Sequence, residues 1–263
     1  MAKILQANMN RSRTANELIH QIAREKQIDL ILISEQYKNI TSPYWISDPT
    51  NTAAIWIYNP SKVSASKYGS FPGFAWIDCD KIRYFSCYLT PNESIQNFRD
   101  KIDALEDAMR GTDGCVVVAG DFNARAAEWG MPHPNSRGKY ILEMAARNGL
   151  LVMNIGTTTT FRRPGYGETI PDITLASESL APQVKDWMVS EDYTGSDHQY
   201  IVYKINNAQE NNHEHIDTHQ IKWDINKLKP QKFVDTLQNK YINLERTLQL
   251  SQATAEAYTE TTM

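Results

Sequence analysis

Apolar residues fall along this chain in two rhythms, unbroken runs and stripes spaced by three and four, and the order of the two predicts alternating strands and helices. Residues 3–7 read as a first strand that gives way to polar side chains at Asn8 and Asn10. Thr14, with Glu17 three positions on, forms a capping-box pattern, and Leu18, Ile19, Ile22 and Ala23 share one face of the helix that follows. Residues 29–34 are a continuous apolar run of the central-strand type, ending at Glu35 and Gln36. From residue 53 to 89, short segments rich in Ile, Trp, Tyr, Phe and Val alternate with turn signals. They predict strands at 53–58, 63–68, 75–77 and 82–89, antiparallel because the connections are too short for crossovers.

Ile95, Phe98, Ile102, Leu105 and Met109 then step by three and four, predicting a helix that stops at Gly111. Residues 116–119 form a short doubly buried strand running into Gly120-Asp121-Phe122-Asn123. Period-two geometry puts Asp121 and Asn123 on one side and turns Phe122 into packing. Ser136 opens a further helix with Tyr140, Ile141, Met144 and Ala145 inward, and Gly149 closes it. Strands are expected at 150–154, 171–176, 184–190 and 199–205. Residues 157–161 read as a polar β segment entering the basic, aromatic, glycine-rich loop 162–168. The domain reading is therefore a catalytic unit over 1–205, a polar linker over 206–220 and a helical appendage over 221–263.

Composition narrows this without redirecting it. With 263 residues, 41% hydrophobic and 22% charged, the chain can bury a sizeable core. No apolar run approaches the roughly 18 to 20 residues of a membrane span, and no secretory leader is evident, so no membrane partner is expected. Cys79, Cys87 and Cys115 are odd in number, lack metal-like spacing and fit a reducing intracellular setting. A formal charge of −4 argues against binding DNA mainly through a basic surface, yet leaves room for a local basic rim around an acidic site.

The candidate chemistry lies at strand ends, where open α/β sheets meet their ligands. Asn8, Glu35, Tyr88, Asp121, Asn123, Asp172, Asp197 and His198 all fall there or in the loops that follow. Taken singly, Asp121 also reads as a turn cap, Glu35 as a solvated strand terminus and Tyr88 as a half-buried strand aromatic. Together, acids and amides with one histidine suit phosphodiester hydrolysis: a hard dication neutralises phosphate oxygens, and a histidine oriented by a carboxylate helps prepare the attacking water. The His213-Glu214-His215 tract reads as solvated linker.

Gln6-Ala7-Asn8, Ser34-Glu35-Gln36, Tyr88, Gly120-Asp121-Phe122-Asn123, Thr159-Thr160-Phe161, Pro171-Asp172-Ile173-Thr174 and Ser196-Asp197-His198, in this order, resemble the endonuclease/exonuclease/phosphatase superfamily. The resemblance implies an α/β (α+β) four-layer sandwich, two mostly antiparallel sheets packed face to face with flanking helices. It implies Glu35 as chief metal ligand with Asn8 beside it, Asp121 aligning the nucleophile, Asn123 and Tyr88 on the phosphate, and His198 paired with Asp172. Asp197 would be a metal neighbour or a support for that pair, and the cofactor Mg²⁺, with Mn²⁺ an alternative. One departure stands out: abasic-site nucleases of the family carry an acid two residues after the first asparagine, where this chain has Asn10.

Within the superfamily the chain looks most like the apurinic-type endonuclease domain of a sequence-specific non-LTR retrotransposon. That implies nicking of double-stranded chromosomal DNA in the nucleus, leaving a 3′-hydroxyl for a reverse transcriptase downstream in the same polyprotein, with this chain an excised domain. Asn10, Arg11 and Arg13 after the first strand, and Thr160, Arg162, Arg163 and Tyr166 around the glycine-rich loop, are the expected DNA contacts. The alternative is an abasic-site repair endonuclease or another phosphodiesterase or phosphatase of the superfamily.

Overall fold

The computed structural model describes residues 1–112 and 114–206, so the expected appendage and all but the first residue of the expected linker lie outside the described residues. The chain opens with β1 (Ala2–Asn8), α1 (Arg13–Glu25) and β2 (Leu30–Ser34), a crossover unit whose strands pair in parallel with Asn8 opposite Ser34. It continues through β3 (Trp45–Ser47), β4 (Ala53–Ile57), β5 (Lys67–Phe71), β6 (Phe74–Cys79) and β7 (Ile82–Tyr88). A second crossover, α2 (Ile95–Arg110), leads to β8 (Cys115–Asp121), again parallel to its partner, with Tyr88 opposite Asp121. There follow α3 (Ser136–Arg147), β9 (Leu150–Val152), β10 (Asp172–Ser177), β11 (Val184–Val189) and β12 (Ile201–Ile205).

The strands form two six-stranded sheets, β11-β12-β1-β2-β4-β3 and β5-β6-β7-β8-β10-β9. Each has one parallel pair at its centre, where the helical crossover allows it, and antiparallel neighbours elsewhere. Alternation along the strands divides their side chains between two faces. Ile4, Leu30, Leu32 and Ile55 meet Ile77, Tyr84, Val117 and Ala119 between the sheets. Leu5, Ile31 and Ile33 pack outward on Ile19, Ile22 and Ala23 of α1, and Phe85, Val118 and Leu175 pack outward on Phe98, Ile102 and Ile141 of α2 and α3. The four layers are therefore helix, sheet, sheet, helices, as the resemblance implied.

Several local expectations change. The helix over 13–25 begins one residue before Thr14, because the Ser12 hydroxyl accepts the Ala15 amide and caps it. Val63 lies in a turn closed onto the Asn59 carbonyl, so β5 starts only at Lys67 and runs to Phe71 as an exposed edge strand. Residues 157–161 form no strand; Phe161 alone bridges Thr169 and His198. The short edge strand Trp45–Ser47 had no sequence signal.

Asp48, just after β3, is buried and holds one corner of the sandwich. Its carboxylate accepts the amides of Thr50, Ala53 and Gly73 at 3.0, 2.7 and 3.0 Å, along with the Thr50 hydroxyl. Gly73 in turn accepts the Tyr88 amide at 2.8 Å, so the corner reaches the end of β7. Burial pushes the Asp48 carboxyl up, but the donors from Ala53, Thr50, Gly73 and Thr52 outweigh it and hold the group below its ordinary value. A depressed carboxylate stabilises the fold above the unfolded-state pKa, about 3.9, and loses that contribution as pH falls through the folded value. Asp48→Asn is expected to cost about 2 kcal/mol at neutral pH, with the deficit shrinking below about pH 4. Thermal unfolding of both chains across pH checks this; a deficit that does not change with pH contradicts it.

Candidate active site

Both parallel pairs point their carboxyl ends at the same edge of the sandwich, which brings Asn8, Glu35, Tyr88 and Asp121 together. The antiparallel strands β10 and β12 begin where these end: Asp172 sits opposite Asp121, and His198 precedes β12 beside β1. At this edge the contact between sheets changes from apolar to polar. The Ser34 hydroxyl donates to the Cys87 carbonyl at 2.8 Å and accepts the Asp121 amide at 3.1 Å. The Ser86 hydroxyl reaches the Ile33 carbonyl at 2.8 Å, and Thr174 donates to the Gln6 side chain at 2.9 Å. Gly120 is required here: its φ is +150°, and a Cβ would stand 2.0 Å from the Cys87 carbonyl oxygen.

The backbone is strained around the cleft. Asn10, Arg11, Glu35 and Asn123 all take left-handed φ, at 44°, 51°, 47° and 47°. Such conformations cost free energy and concentrate where a side chain must be aimed. Thus Asn123 reaches the same side as Asp121 by a left-handed turn rather than by strand alternation, while Phe122 is buried in the core as expected.

Two buried acids and a histidine form the centre. His198 Nδ1 lies 2.8 Å from Asp172 Oδ2, which also accepts the Thr160 hydroxyl at 2.6 Å, and the Phe161 ring packs 5.1 Å from the imidazole. Burial alone lowers the His198 pKa, but Asp172, with Asp121 and Glu35 behind it, raises it to about 9. The pair is therefore an imidazolium held by a carboxylate. Asp121 accepts the Asn8 amide at 2.8 Å on one oxygen and the Asn123 backbone amide at 2.9 Å on the other. Burial, then the neighbouring Asp172 charge, raises its carboxyl to about 7 against the opposing pull of His198. Across the cleft, Glu35 accepts the Tyr88 hydroxyl at 2.7 Å, with Arg11 Nε 3.9 Å away. The cleft itself, about 480 Å³, is lined by Glu35, Tyr88, Asp121, Asn123 and His198 and by Asn10, Asn92, Arg125, Arg163 and Tyr166.

Comparison with known proteins sets this geometry in a lineage. A family model described as endonuclease-reverse transcriptase matches residues 82–202. The endonuclease domain of TRAS1, a telomere-specific non-LTR retrotransposon, is 25% identical with a TM-score of 0.68, over 78% of this chain and 99% of that one. The family model and the TRAS1 match together support the endonuclease/exonuclease/phosphatase superfamily. It is accordingly a phosphodiester hydrolase. A 3′ phosphatase from Neisseria bound to product DNA hairpin shares the superfamily fold at 16% identity and TM-score 0.60, over 78% of this chain and 100% of that one. An AP endonuclease from Archaeoglobus fulgidus does so at 17% and 0.58, with the same coverage. No curated protein matches the chain.

Within this superfamily site, the expected residues separate into those at the cleft and those away from it. Asn10, Arg163 and Tyr166 line it. Thr160 does not face DNA: it is fully buried, its hydroxyl spent on Asp172. The Arg162 guanidinium is taken by Glu191 in a two-bond pair at 2.7 and 2.9 Å, and Arg13 pairs with Glu17 along α1. Asp197 accepts Asn10 Nδ2 at 2.9 Å and Arg163 Nε at 3.0 Å. Sequence reasoning missed Phe161 as a wall for His198, though it named the Thr-Thr-Phe string. It also missed Arg125, whose signal was only its place two residues after Asn123.

The oxygen-rich donor set suits a hard divalent cation. Asp121, Asp172 and His198 present polar atoms within 4.8 Å of one another, but a protonated His198 offers no lone pair, so the carboxylates are the groups that would meet a cation. The His198–Asp172 bond commits two of these groups to each other, which leaves Glu35 and Asp121 as the carboxylates free to meet a cation. Among the described residues no helix is long and apolar enough to cross a membrane.

The pair has a measurable signature. Replacing Asp172 by Asn removes the charge that raises His198 while leaving its burial in place. The His198 titration midpoint, read from the ring proton by NMR, should fall from above its ordinary value of about 6.5 to below it, and hydrolysis should slow by about 10²-fold. A midpoint that stays high would show that Asp172 does not control the imidazole.

Proposed function

We propose that this chain is a Mg²⁺-dependent DNA endonuclease that nicks chromosomal target DNA and leaves a 3′-hydroxyl from which a retrotransposon's reverse transcription is primed. The observation that carries the reading is the convergence, at one open cleft, of Asp121 held by Asn8 and the Asn123 amide, the buried His198–Asp172 pair, and Glu35. The TRAS1 domain supports the retrotransposon branch, since it matches over nearly its whole length. Abasic-site repair and phosphomonoester hydrolysis rest on fold likeness alone, at 17 and 16% identity. The catalytic unit is taken to end at Ile205, with a reverse transcriptase later in the same polyprotein and the nucleus as the place of action.

In this mechanism Glu35, with Asn8 and Asp121 near it, would hold the cation. Mg²⁺, or Mn²⁺ in its place, supplies charge neutralisation at the phosphate and at the leaving oxygen when bound. Asp121, fixed by Asn8 and the Asn123 amide, orients the attacking water and receives its proton. His198, kept protonated by Asp172, and Asn123 donate to the non-bridging phosphate oxygens as charge builds there. Tyr88, its hydroxyl pushed upward by burial and by Glu35, remains a neutral donor. The water oxygen bonds to phosphorus as the bond from phosphorus to the 3′ oxygen breaks, and that oxygen takes up a proton from solvent, giving a 3′-hydroxyl and a 5′-phosphate.

Two experiments test the reading. Supercoiled plasmid should be nicked in Mg²⁺ and spared in chelator, His198→Ala and Glu35→Ala should each lose about 10² or more in rate, and the nicks should be extendable by a polymerase. Nicks that resist extension would remove the priming role. The loop 162–168 carries a second expectation: Tyr166, 66% exposed at its tip, and Arg163 give site preference by entering the minor groove. Sequencing all nicks in a long duplex at fixed salt should show an altered site distribution for Tyr166→Ala. An unchanged distribution with uniformly weaker cutting would leave only general affinity.

A further inference from the structure

The loop that meets DNA and the acid that aligns the water are joined by an unbroken line of polar contacts. Arg163 Nε lies 3.0 Å from Asp197 Oδ2. The same oxygen accepts Asn10 Nδ2 at 2.9 Å. The Asn10 backbone amide donates to Asn8 Oδ1 at 2.7 Å, and Asn8 Nδ2 donates to Asp121 Oδ2 at 2.8 Å. Four contacts thus cross the cleft from the loop to the centre.

Each link depends on the residue type present. Asn8 is buried and uses both ends of its amide, one toward Asn10 and one toward Asp121, so a shift at either end moves the other. The left-handed turn at Asn10 and Arg11 lets the Asn10 amide fold back on Asn8 while its side chain reaches outward. An acid at position 10 would set a second carboxylate against Asp197; an amide supplies a donor there. The departure from the abasic-site nucleases is thereby given a physical role.

The outer end of the line is the exchangeable one. Arg163 is half exposed, stacks over Tyr166 with 5.2 Å to the ring centroid, and a DNA phosphate is a competing partner for its guanidinium. We propose that Arg163 is a positioning residue. Its exchange from Asp197 to a target phosphate redistributes the Asp197–Asn10–Asn8 bonds and so sets the orientation of Asp121, coupling recognition by the loop to the rate of the cut. This rests on the nuclease reading for its rate consequences, though the coupling itself does not need DNA cleavage to be seen.

The test uses the full chain with Arg163→Ala, Arg163→Lys, Asn10→Ala and the double variant Arg163→Ala with Asn10→Ala. Thermal unfolding shows whether each is folded, and Arg163→Lys keeps a cation at the rim should the alanine variant fail. On duplex DNA, Arg163→Ala should lower kcat about 10-fold at saturating substrate, Arg163→Lys should recover part of it, and the double variant should be little slower than the worse single. Independently of any cutting, the Asn8 side-chain amide signals in a ¹⁵N spectrum should shift in Arg163→Ala. A raised KM with unchanged kcat, rate losses that multiply in the double variant, or Asn8 signals that stay in place would each overturn the coupling and leave Arg163 a simple phosphate grip. A wild-type chain that cuts no DNA would instead overturn the nuclease reading, and the Asn8 signals would still decide whether the line transmits.

Discussion

Ser34 fastens the two sheets at the edge where the chemistry lies. Its hydroxyl gives its proton to Cys87 in the opposite sheet and takes the amide of Asp121, so the acid at the end of β8 is placed from β2. Apolar packing could not do this, because it is non-directional and tolerates small slides between faces. A buried hydrogen bond fixes distance and angle, and leaving it half made is costly. The approach of Gly120 to the Cys87 carbonyl belongs to the same constraint, since any side chain there would part the strands that Ser34 joins.

The site held in this way works against the stability of the fold. Asp121 has its pKa raised from the ordinary carboxylate value to about 7, so its contribution is favourable below the unfolded pKa and is lost as pH rises through neutrality. His198 partly offsets this near neutrality: held at about 9, it stabilises the fold while protonated and loses that contribution only as pH rises through its folded value. Four left-handed residues at the cleft add strain of the order of 1 to 3 kcal/mol each. The offset comes from the three apolar layers and from corners such as Asp48, which are remote from the chemistry.

What could be read from the sequence follows from the range of the forces involved. Continuous apolar runs such as 29–34 and 116–119 announce central strands because their burial on both faces leaves no polar side to encode. The polar residues that end them announce the site for the same reason. Edge elements were less legible: β5 is exposed along most of its length and Trp45–Ser47 is too short to show a period. Thr160 was not legible as a support for the centre because its partner, Asp172, is 12 residues away and nothing local distinguishes a side chain spent on such a partner from one free for DNA. Glu35 and Asp121 stood out because each is a carboxylate at the carboxyl end of a buried apolar run.

The net charge of −4 and a DNA substrate are compatible through the same arrangement. At physiological ionic strength charges farther apart than about 8 Å are largely screened where they face solvent, so a phosphate entering the cleft senses its rim more than the whole molecule. At that rim Arg125 and Arg163 line the cleft, while Asp197 is already neutralised by Arg163. The acids that would repel DNA are recessed: Asp121 and Asp172 are buried, and Asp172 is matched by the His198 charge. A backbone phosphate therefore meets the rim guanidinium groups before the recessed carboxylates. The order of these layers, cationic rim outside and acidic centre within, lets a chain of net negative charge present guanidinium groups first to a phosphate.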